Sequence, residues 1–407
     1  MNILIVTQYF WPENFRINDL VKGLVESGDK VTILTGIPNY PSGRVEVDFS
    51  LSPGRFSSYV SADVIRLPHI LRGSTRLQLA LNYISFTLSA LTLGLWKTRS
   101  LSPDVIFVFG ASPVTVALAA VAIGSLKRVK VLLWVLDLWP ESLSLASFPG
   151  LRIVKWIVRR LVGFIYSRSS LILGQSHAFC DEIRKYTKDK SKVVYLPGWA
   201  ESEFSNGSLS GAEAISKDIK KDKFNILFAG NLGEAQDLES ILKAAVIARS
   251  NESIYWTIVG GGSKLEWLRS EVIRLNLQTR VSIYGQVPIT HMPEIYKEAD
   301  ILLVALRSDP VFQLTIPGKV QTYMRVGKPI LGMIDGEGAR VLKESNSGIV
   351  CNSGDSLALA AAAELLSVMS PYELDILGKN SRSYAEQNFD RERLIAQIRA
   401  LMASRLK

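Results

Sequence analysis

Short, uninterrupted apolar runs alternate along this chain with stretches whose apolar residues recur every three or four positions. The runs predict strands over residues 3–7, 31–35, 64–67, 105–109, 131–136, 171–173 and 193–195. Helical patterns lie between them, such as 17–27, which ends at Gly28. Because the runs are continuous rather than alternating, they predict parallel strands covered on both faces. The pattern breaks after Leu196-Pro197-Gly198, and residues 205–223 are polar and rich in Ser and Lys. A second series follows: strands over 225–229, 255–259, 281–284, 301–305, 330–333 and 349–350, with helices over 238–249 and 264–275. From about Pro371 the pattern is helical. The expected fold is α/β, with two Rossmann-like doubly wound domains facing a cleft. They occupy residues 1–200 and 224–385, joined by a polar linker at 201–223. A C-terminal helix at 386–407 is expected to cross back to the first domain.

The length of 407 residues suits two domains, and 47% hydrophobic with 21% charged residues gives material for two cores. The net charge of +9 is unevenly placed. Residues 1–196 hold 23 Lys and Arg against 13 Asp and Glu, and the remainder is close to neutral. One domain therefore faces something anionic. The basic residues interleave with long apolar runs rather than exposed aromatics, which favours an anionic membrane surface over nucleic acid. Residues 77–96 carry no charge and are long enough to span a bilayer, but Gln78, Asn82, Ser85, Thr87, Ser89 and Thr92 dilute them. A helix that is part core and part membrane-facing is expected there. Residues 151–168 mix Arg152, Lys155, Arg159, Arg160 and Arg168 with Trp156, Ile157, Leu161 and Phe164, the composition of an interfacial helix or of an amphipathic one with a solvated basic face. Cys180 and Cys351 have no pairing or metal spacing, and they read as two buried thiols in a reducing cytosol. His69, His177 and His291 show no metal-ligand spacing either.

Candidate chemistry gathers in the second half. A strand runs into Gly230-Asn231-Leu232-Gly233 and then a helix, the arrangement that lets a backbone approach a phosphate. Gly260-Gly261-Gly262 and Gly285-Gln286 end two further strands. Ligands of open parallel sheets sit beyond the carboxyl ends of the strands, so these turns would line one crevice. Pro317-Gly318-Lys319 stands at an expected helix start, where a lysine and free amides clamp a diphosphate. Gln321 and Thr322 follow, within reach of ribose hydroxyls.

Several segments carry a resemblance: NILIVTQYFWPENF at the start, GIPNYPSGRV at 36–45, DLWPESL at 137–143, YLPGWAESEF at 195–204, GNLGEAQDLE at 230–239 and TIPGKVQTYMRVGKP at 315–329. Together they make the chain resemble glycosyltransferase family 4, retaining enzymes of the GT-B fold. The resemblance is nearest to bacterial O-antigen and capsule enzymes of the L-fucosamine transferase (WbuB) type. It implies a sugar nucleotide in the C-terminal domain, an acceptor at the N-terminal domain, retention of configuration, and no cofactor or metal. It further implies a UDP-linked donor, such as that of an N-acetylated amino-deoxyhexose like L-FucNAc. The acceptor would be a lipid-linked oligosaccharide on undecaprenyl diphosphate, and the enzyme peripheral to the inner face of the cell membrane.

The chain departs from the family at several positions. Where many members carry an Arg and a Lys in the first glycine turn, it has Asn231 and Gln236; Thr322 stands where a glutamate is usual, and Leu136 where a histidine is common. Glu13-Asn14-Phe15-Arg16 replaces a Gly-Gly near the N-terminus. Charge stabilisation at the leaving diphosphate then falls to Lys319, helped by Arg16 and backbone amides. Asp137, at a strand end, is the candidate for orienting a sugar, with a helix cap as its structural alternative. Glu141, Glu13, Asn14 and Arg16 are candidates for holding the acceptor. Rival readings are a sugar-nucleotide epimerase of the same fold and a non-catalytic sugar-nucleotide-binding assembly protein.

Overall fold

The computed structural model describes residues 1–142, 151–200, 220 and 222–406. The linker expected at 201–223 lies almost wholly outside them. The described chain forms two compact units, Met1–Leu196 with Glu392–Lys407, and Pro197–Arg391.

The first unit is built on eight strands: β1 (Asn2–Val6), β2 (Lys30–Gly36), β3 (Ser58–Tyr59), β4 (Ala62–Leu67), β5 (Val105–Gly110), β6 (Val131–Val135), β7 (Leu171–Gly174) and β8 (Val193–Tyr195). Their order is β3-β4-β2-β1-β5-β6-β7-β8, parallel throughout except for β3 against β4. The two-residue β3 has no periodicity to announce it and was not among the predicted strands. The other strands match the predicted runs to within a residue or two. Every residue of β5 and β6 is buried, which is why those strands read as continuous apolar runs. The chain winds one way from β1 and then the other from β5, so the order reverses between these neighbours.

Helix Arg391–Ala403 belongs to the first unit and buries Leu394, Ile395, Ile398 and Met402. Its Arg399 Nε donates to Asp29 Oδ2 at 2.7 Å, and the chain's amino terminus reaches Asp29 Oδ1 at 2.9 Å. The loop after β2's preceding helix is thereby tied to both ends of the sequence.

The second unit holds β9 (Phe224–Ala229), β10 (Ile254–Val259), β11 (Val281–Tyr284), β12 (Ile301–Ala305), β13 (Ile330–Met333) and β14 (Gly348–Cys351). They form one parallel sheet in the order β11-β10-β9-β12-β13-β14. Side chains alternate between its two covered faces: Ile226 and Phe228 of β9 enter one apolar cluster, Leu227 and Ala229 the other. Here the reversal falls between β9 and β12. In open α/β sheets that is where ligands bind.

Candidate active site

In the second unit the carboxyl ends of β9 and β10 are joined by their glycine turns. Gly230 N donates to Val259 O at 2.9 Å, Leu232 N to Gly261 O at 2.8 Å, and Lys264 N to Leu232 O at 2.9 Å. This approach leaves no room for side chains. A Cβ on Gly260, at φ +154°, would lie 1.8 Å from Gly230 O. The side chain of Asn231 lies along Gly233 and Gly262, and Gln286 packs beside Gly261.

Lys319 reaches this turn from the other side of the reversal. The helix Gly318–Val326 begins after Pro317, which starts a helix at no cost because its missing N–H would be unpaired there. It ends at Gly327 in a left-handed conformation, φ +79°. Lys319 and Tyr323 are four residues apart and share one helix face. The buried Tyr323 hydroxyl accepts from Ala229 N at 2.9 Å and donates to Ala229 O at 3.1 Å, which latches the helix to the last residue of β9. One turn earlier, Lys319 therefore lands at Gly230. A Cβ on Gly230 would meet Lys319 Cε at 2.5 Å. The ammonium donates to Gln236 Oε1 at 2.9 Å and sits 3.7 Å from the centroid of the Phe228 ring. Loss of hydration on burial lowers its pKa from 10.5 to about 7.

Gln321, expected at a ribose, is corrected. It is 3% exposed and, two positions from Lys319, turns to the opposite side of the helix. Thr322 is partly exposed on the flank next to Lys319.

In the first unit the loops at the carboxyl ends of β1 and β2 are held together by Glu13. Its Oε1 accepts from Asn39 N and Tyr40 N, both at 2.7 Å, and its Oε2 from Phe10 N at 3.1 Å. Burial raises its pKa and the three amides oppose the rise. Glu13, a candidate for holding the acceptor, thus also brackets two loops. Asn14 beside it is exposed, and Arg16 opens the helix Arg16–Glu26.

Asp137 follows β6 in a turn and accepts from Trp139 Nε1 at 3.0 Å. Just beyond it Ser142 N donates to Leu138 O at 2.6 Å, and residues 143–150, where the cap alternative would be decided, lie outside the described residues. The candidacy of Asp137 rests on its place at a strand end, where it is partly exposed. Glu141, the other acidic acceptor candidate of this unit, is bonded through one carboxylate oxygen. It accepts from the Tyr186 hydroxyl, which in turn accepts from Arg159 Nε at 3.4 Å, so its carboxylate ties the loop after β6 to the helix Leu151–Arg168.

Residues 14–199 match the model described as Glycosyl transferase 4-like domain, and residues 223–367 match that described as Glycosyl transferases group 1.

The chain is a glycosyltransferase.

Among its relatives is "Probable glycosyltransferase WbjE" of Pseudomonas aeruginosa, 27% identical over 66% of this chain and 69% of the other. Another is "Putative colanic acid biosynthesis glycosyl transferase WcaI" of Escherichia coli K12, 23% identical over 98% of both. Among solved structures, that of Anabaena HepE in complex with UDP and glucose superposes with a TM-score of 0.69 at 14% identity, covering 99% of this chain and 100% of that one. This likeness shows the fold, which is GT-B. Neither the epimerase nor the non-catalytic reading is favoured by these matches.

Several residues around this candidate site were not named from the sequence. Tyr323 and Phe228 were not singled out; the sheet places Phe228 under Lys319 and Ala229 against Tyr323. Lys264 and Arg307 were not singled out either. They converge on Glu234, at 2.5 and 3.0 Å, beside Gly233, and the hydrogen bond from Lys264 is the main cause lowering the Glu234 pKa. Each follows a strand end of the second sheet, which was the signal available. In the first unit Tyr9, Phe15 and Tyr40 pack ring to ring with centroids 5.0–5.4 Å apart. Arg72 lies over Tyr40 and donates to the Tyr9 hydroxyl at 3.2 Å.

Proposed function

We propose that this glycosyltransferase acts in bacterial polysaccharide biosynthesis. It moves an N-acetylated amino-deoxyhexose, such as L-FucNAc, from a UDP-linked donor to an oligosaccharide on undecaprenyl diphosphate, with retention of configuration. The second unit takes the sugar nucleotide and the first unit the acceptor, at the inner face of the cell membrane. The observation that carries the donor half is the Lys319 ammonium, set against Gly230 at the point where the strand order reverses.

When the bond between the anomeric carbon and the diphosphate breaks, negative charge collects on the leaving oxygen. A fixed cation in a partly desolvated site stabilises that charge more than the ground state. Lys319 supplies it. Gln236, at a position where relatives of this family carry a lysine, holds Lys319 instead of supplying charge itself. Lys264 and Arg307 stand near enough to exchange Glu234 for phosphate oxygens. No metal enters this reading. The complexes named for HepE contain UDP and UDP-glucose, which supports a uridine donor by analogy. Asp137 orients the transferred sugar or the accepting hydroxyl. The names of WbjE and WcaI support the polysaccharide setting.

Thermal shift with a panel of sugar nucleotides, followed by turnover with a synthetic lipid-linked acceptor, tests the reading. A UDP-sugar is expected to raise Tm in the wild type and far less in Lys319→Ala. Equal shifts in the two proteins would remove Lys319 from the diphosphate site.

A further inference from the structure

The sequence 77–97 folds as a near-continuous helix, Arg76–Ser89 followed by a π turn at Ala90–Gly94 and the short helix Leu95–Lys97. By length and hydropathy it could cross a bilayer, yet only 28% of its apolar window is buried in the protein. Its exposed side is a file of large apolar residues: Leu77, Leu81, Ile84, Leu88, Leu93 and Trp96. The spacing is helical up to Leu88. The extra residue of the π turn then carries the file on to Leu93 and Trp96. Ile84 is 56% exposed and Trp96 60%. The opposite side is fixed to the domain. Phe86, Ala90 and Gly94 are buried, Asn82 Oδ1 accepts from Gln8 Nε2 at 2.7 Å, and Asn82 Nδ2 donates to Ile70 O at 2.6 Å.

A second exposed helix shares this side of the first unit. Helix Val116–Lys127 packs against both the 76–97 segment and the helix Leu151–Arg168. The latter exposes Ile153 (67%), Trp156 (58%), Ile157 and Phe164. Residues 76–97, 116–127 and 151–168 contain no Asp or Glu. Their basic residues stand beside the aromatic ones: Arg99, just past the first segment, lies 4.4 Å from the Trp96 ring centroid, Arg160 5.3 Å from Trp156 and Arg168 5.7 Å from Phe164.

We propose that these two helices form one docking face for an anionic lipid bilayer, lying in the plane of the headgroups rather than crossing it. Apolar files enter the acyl boundary while guanidinium and ammonium groups stay among lipid phosphates. Spanning is opposed by the buried Asn82 bonds, which a vertical helix would have to break. A second copy of the chain is opposed by charge, because two such faces would set like charges against each other. The proposal deepens the membrane partner named above and rests on that reading only for the lipid nature of the acceptor.

Flotation of the full chain with phosphatidylglycerol-containing vesicles, and with pure phosphatidylcholine, tests it. Binding to the anionic vesicles at low salt, about tenfold or more stronger than to the zwitterionic ones and reduced by added salt, is expected. Ile84→Glu is expected to lower it through the apolar file, and the pair Lys155→Glu with Arg160→Glu through the charge. The donor-induced thermal shift of each variant should equal that of the wild type, which shows the fold intact and separates this test from the transferase reading. Equal binding to both lipids, unaltered binding by the variants, resistance to alkaline extraction, or a dimer that Ile84→Glu dissociates would each overturn the proposal.

Discussion

At the residue scale, Lys319 has the sharpest consequences. Its ammonium is desolvated with no carboxylate partner among the described residues, and its alanine variant should lose about 10²–10³-fold in kcat, as when one stabilising donor of a developing anion is removed. Stability should be unchanged or slightly higher, since a poorly hydrated charge is removed. The pH dependence follows from the pKa of about 7. Between pH 7 and the unfolded value of 10.5 the folded protein binds fewer protons than the unfolded chain, so this group's contribution to stability grows as pH rises through that window. A bound diphosphate favours the ammonium and pulls the pKa back up. Donor binding then takes up a proton, and affinity should fall as pH rises above 7, by up to about tenfold per unit. Isothermal titration in buffers of different ionisation enthalpy measures the uptake directly. Lys319→Arg, which stays charged, should flatten the profile; an unchanged profile would exclude Lys319 as the group involved.

At the scale of elements, two contacts hold the segments around the candidate site. The Tyr323 hydroxyl fixes the helix Gly318–Val326 to Ala229. Tyr323→Phe strands a buried backbone N–H and should cost about 1–3 kcal/mol. Because Lys319 rides on the same helix, donor affinity should also fall several-fold. Denaturant unfolding and donor titration on the same variant separate the two effects. Glu13 does the corresponding work for the loops after β1 and β2. Glu13→Gln turns an amide NH2 toward backbone donors and should likewise cost about 1–3 kcal/mol. Its kinetic signature should be a raised acceptor KM with donor binding unaltered, and a change in donor binding alone would contradict the bracket.

At the scale of the whole molecule, the C-terminal helix is the feature that makes unit boundaries differ from sequence order. Ending the chain at Arg391 removes Leu394, Ile395, Ile398 and Met402 from the first unit's core and frees Asp29 from Arg399. Each buried aliphatic side chain is worth about 1.5–3 kcal/mol. The first unit of the truncated chain should therefore unfold well below its normal temperature, with the second unit's donor response retained. Calorimetry that showed both units unfolding as in the full chain would refute the assignment.

The parallel sheets were legible in the sequence because their strands are buried on both faces and interrupt helical periodicity; β5, β6, β12 and β13 were read almost to the residue. The glycine turns were legible for a related reason, since a backbone approach such as Gly260 to Gly230 tolerates no other residue. Lys319 was legible as a candidate by its place at a helix start. Its partners were not. Gln236 and Phe228 meet it, and Ala229 meets Tyr323, across the reversal between β9 and β12, and no local pattern encodes a contact made by strand order. The same limit explains Glu13, Glu141 and Gln321. A polar side chain's type says what it can bond, whereas the neighbours that consume its bonds come from other strands. Local periodicity therefore determined the elements and the class of fold, and only the packed sheets decided which polar groups remain available for chemistry.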